Sequence, residues 1–232
     1  IIVHVFLTVL AIIWVLPIAW VVLTAFRKEP GSYLTYIMPK GYTLDNFINL
    51  LTKTNVINFP RWFMNTLIVA ICSCIISTFF VLSVSYCMSR LRFSFRKTYM
   101  NIALILGMFP GFLTMICLYF LLKQFGLTQQ GAIPGLILIS VASSGMGYYV
   151  CKGYFDTIPK SLDEAARIDG ATRAQIFVQM IIPLSKPIII YTALLAFMAP
   201  WCDYIMASYV AFGHSDSYNV AVAMQQAKDY ID

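Results

Sequence analysis

The sequence predicts an all-α fold, a polytopic bundle of membrane-spanning helices, and three observations predict it. Of 232 residues, 60% are hydrophobic and 11% charged, with a mean hydropathy of +0.78, a balance that belongs to the membrane class. Apolar runs at 1–26, 62–88, 99–122, 132–151 and 188–209 are long enough to cross about 30 Å of hydrocarbon. Basic residues gather at 90–97 and again across 152–186, as the positive-inside rule expects of cytoplasmic loops. The net charge of +6, in so apolar a chain, points to membrane lipid with anionic headgroups rather than to nucleic acid.

The first run, 1–26, has neither the charged start nor the small-residue cleavage site of a signal peptide, so it is expected to remain as a span. Pro17 is expected to kink it. Residues 27–61 form a polar connection with Pro30, Gly31, Pro39 and Gly41 as turn formers. An amphipathic piece at 43–51 is expected to lie at the interface, capped by Thr43 or Asp45. In 62–88, Trp62 marks the interfacial level. Ser73 and Ser77 have the small-xxx-small spacing that permits close helix approach. Arg90, Arg92, Arg96 and Lys97 then mark the cytoplasmic side.

The span at 99–122 holds Pro110 between Gly107 and Gly111, and a packing kink is expected there, with a gating hinge as the alternative. Ser140, Ser143, Ser144, Gly145 and Gly147 give 132–151 a small-residue surface for tight packing. That span returns the chain to the basic side. In 188–209 the costly residue is Asp203, beside Trp201 and Tyr204 and just after Pro200. An acid at mid-span costs about 2.5–3.5 kcal/mol on insertion scales. It either serves function or caps a helix that breaks at Pro200.

The longest water-loving stretch, 161–187, reads SLDEAARIDGATRAQIFVQMIIPLSKP. Ser161 and Glu164 have capping-box spacing, and Asp163 and Glu164 suit the positive end of a helix dipole. Gly170 suits a left-handed stop. Thr172 and Gln175 repeat the box, and Ile176, Phe177, Met180 and Ile181 make an apolar stripe. Pro183 and Pro187 end or kink the second helix. By spacing alone this is a surface helical hairpin between two spans.

Glu164-Ala165-Ala166, then Gly170, then Pro183 resemble the EAA loop of ABC importer permeases, with Met180 and Ile182 where that motif prefers Ile and Leu. WFMNTLIVA from Trp62, SRLRFSFRK from Ser89, GYFDTIPKSLDEAARIDGAT from Gly153 and PWCDY from Pro200 extend the resemblance over nearly the whole chain. It is nearest the carbohydrate branch and its maltose-type second permease subunit.

The resemblance implies one transmembrane domain over 1–232, a cytoplasmic coupling loop at 152–186, and a sixth span beyond the C-terminal end of this sequence. It implies that Glu164, Ala165, Ala166 and Gly170 form a docking surface for an ATPase, with Arg167 and Asp169 as flanking contacts. Trp201, Asp203, Tyr204 and Pro110 are the candidates for the translocation pathway or its gate. No cofactor is expected on this chain; ATP and Mg would be used by the partner ATPase. The implied partners are a second homologous permease subunit, an ATPase dimer and an extracytoplasmic sugar-binding protein, which 210–232 would face. The implied cargo is maltose, maltodextrin or a related oligosaccharide.

Other readings have less to stand on. The chain lacks GxxxxGK[ST], HExxH and GxSxG, and His4 and His214 lie far apart, so neither enzymatic nor zinc chemistry is expected. Cys72, Cys74, Cys87, Cys117, Cys151 and Cys202 lie mostly in apolar runs and are expected to be buried thiols rather than disulfides. A secondary transporter is the main alternative, but it wants ionisable groups at depth, and the spans offer only Asp203. A purely structural membrane subunit is the third reading.

Overall fold

A computed structural model describes residues 2–29, 38–54, 57–144 and 147–228. The chain divides into two compact units, Ile1–Pro60 and Arg61–Asp232. In the first, α1 (Ile2–Ala25) is a 24-residue helix that passes through Pro17 without a break. It is apolar on every side, so it has no face to offer water. Helix α2 (Asp45–Thr52) starts after Leu44, which occupies the N-cap. Neither sequence candidate is the cap residue; Thr43 acts from one position further out, its Oγ1 accepting the Asp45 N–H at 3.1 Å. Asn46 ties α2 back to α1, its Nδ2 donating to the carbonyls of Ala25 and Arg27 at 3.0 and 2.7 Å.

The second unit is built around α3 (Phe59–Arg90), whose first two residues precede the unit boundary. Its 32 residues make it about 48 Å long, against about 30 Å of hydrocarbon. The excess, about three turns, gives the helix polar overhangs. Its buried face includes Ser73, Ser77, Ser85 and Ser89, each at most 2% exposed, beside larger side chains such as Val81, Leu82 and Tyr86. Ser73 and Ser77, the pair at small-xxx-small spacing, therefore lie on a buried face of α3.

Helices α4 (Arg96–Gly107) and α5 (Gly111–Gln124) meet at 100°. The expected packing kink at 99–122 is therefore corrected to a full break. Pro110 occupies the N-cap of α5 in an extended conformation (φ −56°, ψ 125°). With no N–H to give and Gly111 directly after it, it cannot carry the ladder forward. Helices α6 (Ala132–Ser143) and α7 (Gly147–Thr157) follow; Gly145 lies outside the described residues. Helix α7 runs past the expected end at 151, so Lys152 and Asp156 are helical.

The remaining elements are α8 (Lys160–Ile168), α9 (Arg173–Gln175), a π-helical turn (Ile176–Ile181), α10 (Ile182–Leu184), α11 (Lys186–Cys202), α12 (Ile205–Val210) and α13 (Val220–Lys228). The run from α9 to α10 meets α11 at 83°, the bend that Pro183 and Pro187 predict. Helix α11 packs on α6 and α7, α12 on α5 and α6, and α13 on α11 and α12. Among the described residues, α1 and α3 can each cross a membrane as single helices, and three bent pairs bring the number of spans to as many as five. The sixth expected span falls outside the described residues.

Candidate functional site

The candidate site is the elbow between α7 and α11. Helix α7 stops at Thr157, and Pro159, extended at φ −57° and ψ 132°, is the N-cap of α8. Helix α8 therefore begins at Lys160, and the expected Ser161–Glu164 capping box does not form: Ser161 lies inside the helix, and no side-chain cap bond is present. A proline two residues upstream had already chosen the start. At the other end Gly170 has φ +86°. Ala171 N–H bonds the Ala166 carbonyl at 2.9 Å and Gly170 N–H the Arg167 carbonyl at 3.1 Å. This pair of bonds is a Schellman stop, and it requires the left-handed residue that glycine supplies. The Thr172–Gln175 box forms in full, opening α9.

Helical periodicity sorts the side chains of α8. Asp163 and Ala166, three apart, turn inward at 6% and 8% exposure. Glu164, Ala165, Arg167, Asp169 and Gly170 are exposed. Ala166, expected at the docking surface, instead packs in a cluster with Tyr86, Phe155, Ile158, Ile176 and Ile181. The π turn brings Ile176 and Ile181, both 1% exposed, onto that same cluster; i→i+5 winding favours this spacing. Ile168 is the opposite case. It is an isoleucine 87% exposed at the tip of the elbow, and no spacing in the sequence marks it as a site residue.

What holds the elbow is the overhanging end of α3. Arg90 has a side chain 2% exposed, and its Nε lies 3.4 Å from Oδ2 of Asp163, itself 8% exposed. Arg90 Nη2 also donates to the carbonyls of Phe155 and Ile158 at 3.0 and 2.9 Å, where a cation complements the negative end of α7. Ser89 Oγ donates to Asp156 Oδ1 at 2.6 Å, and Lys152 pairs with Asp156 at 2.5 Å. Tyr86 OH donates to the Arg173 carbonyl at 3.2 Å, and its ring centroid is 4.6 Å from that of Phe177. Two turns of one span thus grip α7, α8 and α9 together. Sequence reasoning used Arg90 only as an orientation charge and Asp163 only as a dipole partner; neither local pattern signals a pair.

At the opposite end of the spans, the alternative of a break at Pro200 is not what forms: α11 passes through Pro200 and stops at Asp203 (ψ 98°). A proline late in a helix removes a single bond, whereas the extended backbone at Asp203 ends the ladder. Asp203 Oδ1 accepts the Met206 N–H at 3.2 Å and so starts α12. Asn219 Nδ2 donates to the Asp203 carbonyl at 2.6 Å. Trp201 packs against Phe63 and Phe197 at 5.3 and 6.1 Å, and Tyr204 is exposed. Trp201, Asp203 and Tyr204 therefore surround one helix junction, while Pro110 belongs to a different one. All six cysteines are free, and only Cys151 is buried. The expectation of buried thiols is corrected for the others, whose side chains lie on partly or fully exposed helix faces. Among the described residues no three His, Cys, Asp or Glu side chains are gathered as a metal ion would require.

The described residues thus form a helical membrane unit whose glycine elbow is held by the end of a span. Residues 81–219 match the family described as binding-protein-dependent transport system inner membrane component, and the chain belongs to that family. It is 33% identical over 222 residues to the maltodextrin transport system permease protein MdxG of Bacillus subtilis, covering 96% of this chain and 78% of that one. It is also 33% identical over 222 residues to the galactooligosaccharides transport system permease protein GanQ of the same organism, covering 95% and 77%. A crystal structure of a bacterial ABC transporter involved in the import of the acidic polysaccharide alginate superposes with a TM-score of 0.78, over 97% of this chain and 78% of that one, at 20% identity. That likeness is one of fold. The chain is thus a permease subunit of an ABC importer, an integral component of the bacterial cell membrane.

Proposed function

We propose that this chain is one of two homologous permeases in an oligosaccharide importer, driven by a separate ATPase dimer and loaded by an extracytoplasmic sugar-binding protein. The observation that carries the reading is the elbow: Glu164, Ala165, Arg167 and Ile168 stand exposed on a helix whose back is ion-paired to a span. Such a helix can be pushed, and the push reaches the bilayer. In this reading ATP and Mg sit on the ATPase, whose closure displaces α8. The displacement passes to α3 through Arg90 and Asp163, and to α11 through the bend at Ser185. Glu164 meets a basic residue of the ATPase, Ile168 fills an apolar hollow there, and Asp169 and Gly170 lie at the rim. Ala166 contributes from behind by seating the helix.

The cargo class follows from the relatives, whose names specify maltodextrin and galactooligosaccharides at equal identity. Equal identity supports an oligosaccharide, and maltodextrin and galactooligosaccharides are the first to try. Trp201, Asp203, Tyr204 and Pro110 are proposed to lie on or near the pathway. Uptake of labelled maltodextrin into proteoliposomes holding the assembled importer should require hydrolysable ATP. Equal uptake without it would establish the secondary-transporter alternative. A thermal-shift panel of sugars on the cognate binding protein names the cargo.

Ile168→Asp isolates the docking face. Burying an isoleucine is worth about 1.5–3 kcal/mol, so the substitution should weaken co-purification with the ATPase about tenfold or more. The melting temperature of the permease should not change, because the residue touches little of its own chain. Undiminished co-purification would remove Ile168 from the interface.

A further inference from the structure

We propose that a basic cleft between the 91–95 connection, the start of α4 and α8 holds the phosphate headgroup of an anionic phospholipid. The cleft encloses about 390 Å³ and is walled by Arg90, Arg92, Arg96, Lys160, Arg167 and Arg173, against only Asp163 and Glu164. Asp163 is already paired with Arg90, so the remaining wall is strongly cationic. Arg90, among the residues lining it, has a side chain 2% exposed and an Nη1 with no hydrogen-bond partner within the protein. A phosphate suits the exposed cations of this wall, since its oxygens accept several bonds and match the guanidinium fork. The volume lies within the range of about 300–1,000 Å³ usual for small-ligand sites.

The surroundings select a lipid as the source of that phosphate. Phe93 and Phe95 are 42% and 55% exposed and alternate with Arg92, Ser94 and Arg96. A second hollow, lined by Arg92, Phe93, Ser94, Arg96, Lys97 and Met100, adjoins the first and shares Arg92 and Arg96 with it. Exposed rings interleaved with cations, immediately after a span, suit the boundary between acyl chains and headgroups. Basic pockets among spans on the cytoplasmic side bind anionic headgroups. The walls come from two parts, Arg92 and Arg96 from the α3–α4 connection and Lys160, Arg167 and Arg173 from the elbow. A bound phosphodiester would therefore bridge the elbow to α4, making the elbow's seating sensitive to lipid composition. None of this requires the ATPase reading.

The test is native mass spectrometry of the full chain in detergent, titrated separately with phosphatidylglycerol, phosphatidylcholine and inorganic phosphate. Phosphatidylglycerol should be retained at least tenfold more than phosphatidylcholine. The double variant Arg92→Gln/Arg96→Gln should lose that preference with its melting temperature unchanged, since Arg92 is exposed and Arg96 half-buried. Lys123→Gln, at the far end of α5, should retain it. Equal retention of the two lipids, or full retention by the double variant, overturns the proposal. Occupancy by inorganic phosphate without retention of phosphatidylglycerol assigns the cleft to a free anion and overturns it as a lipid site. Displacement of the lipid by a docked ATPase subunit assigns the cleft to a protein interface and overturns it too.

Discussion

Arg90→Ala should abolish ATP-driven uptake, by about 100-fold or more, while the chain still inserts in the membrane. The substitution strands the Asp163 carboxylate, 6% exposed at the residue level, and removes donors from the Phe155 and Ile158 carbonyls. Removing one partner of a buried pair typically costs about 3–5 kcal/mol, a large part of the roughly 5–15 kcal/mol that holds a domain together. The loss falls where α3 grips the elbow, so the elbow should detach before the spans unfold. Arg90→Lys keeps the charge but not the fork and should fall between the two. Arg90→Leu with Asp163→Leu separates force transfer from folding. Replacing both charges with apolar groups is often neutral for stability, so melting should recover. If the ion pair carries the push, uptake should stay low in that variant. Full uptake by Arg90→Ala would show that the elbow does not act through α3.

The second large effect belongs to Gly170. At φ +86° the position lies where proline, held near −65°, cannot go, and proline also deletes the N–H that bonds the Arg167 carbonyl. Gly170→Pro should therefore abolish uptake with membrane insertion intact. Gly170→Ala meets only the left-handed penalty of about 1–2 kcal/mol and should reduce uptake about tenfold. Ala166→Arg should also abolish uptake, for a reason the structure supplies. An arginine at a site 8% exposed, among Tyr86, Phe155 and Ile176, prises α8 from its seat rather than blocking a partner. Limited proteolysis distinguishes the causes: new cleavage in the elbow is expected for Ala166→Arg, and none for Ile168→Asp. Wild-type uptake by Gly170→Pro would mean that the elbow's direction is irrelevant to transport.

These outcomes separate what is local from what is not. The Gly170 stop and the Thr172–Gln175 box are made of bonds between near neighbours, so the residues that specify them are adjacent in the chain. Ser161–Glu164 has the same spacing and fails, because Pro159, equally local, sets an earlier start. Pro110 marks where the third apolar run breaks, but the 100° angle depends on what each half packs against. Asp203 is costly in any span, yet its place as the junction of α11 and α12 is completed by Asn219, 16 residues further on.

The sequence by itself determined the membrane class, the basic face of the loops, the elbow and its family resemblance, because composition and short-range spacing suffice for each. Only the tertiary structure decided that Ala166 turns inward while Ile168 stands out. It also decided that Arg90, and not its neighbour Arg92, is the arginine taken out of water. Burial is a property of the elements that converge on a residue, and α3, α7 and α8 meet at Arg90 from distant parts of the chain.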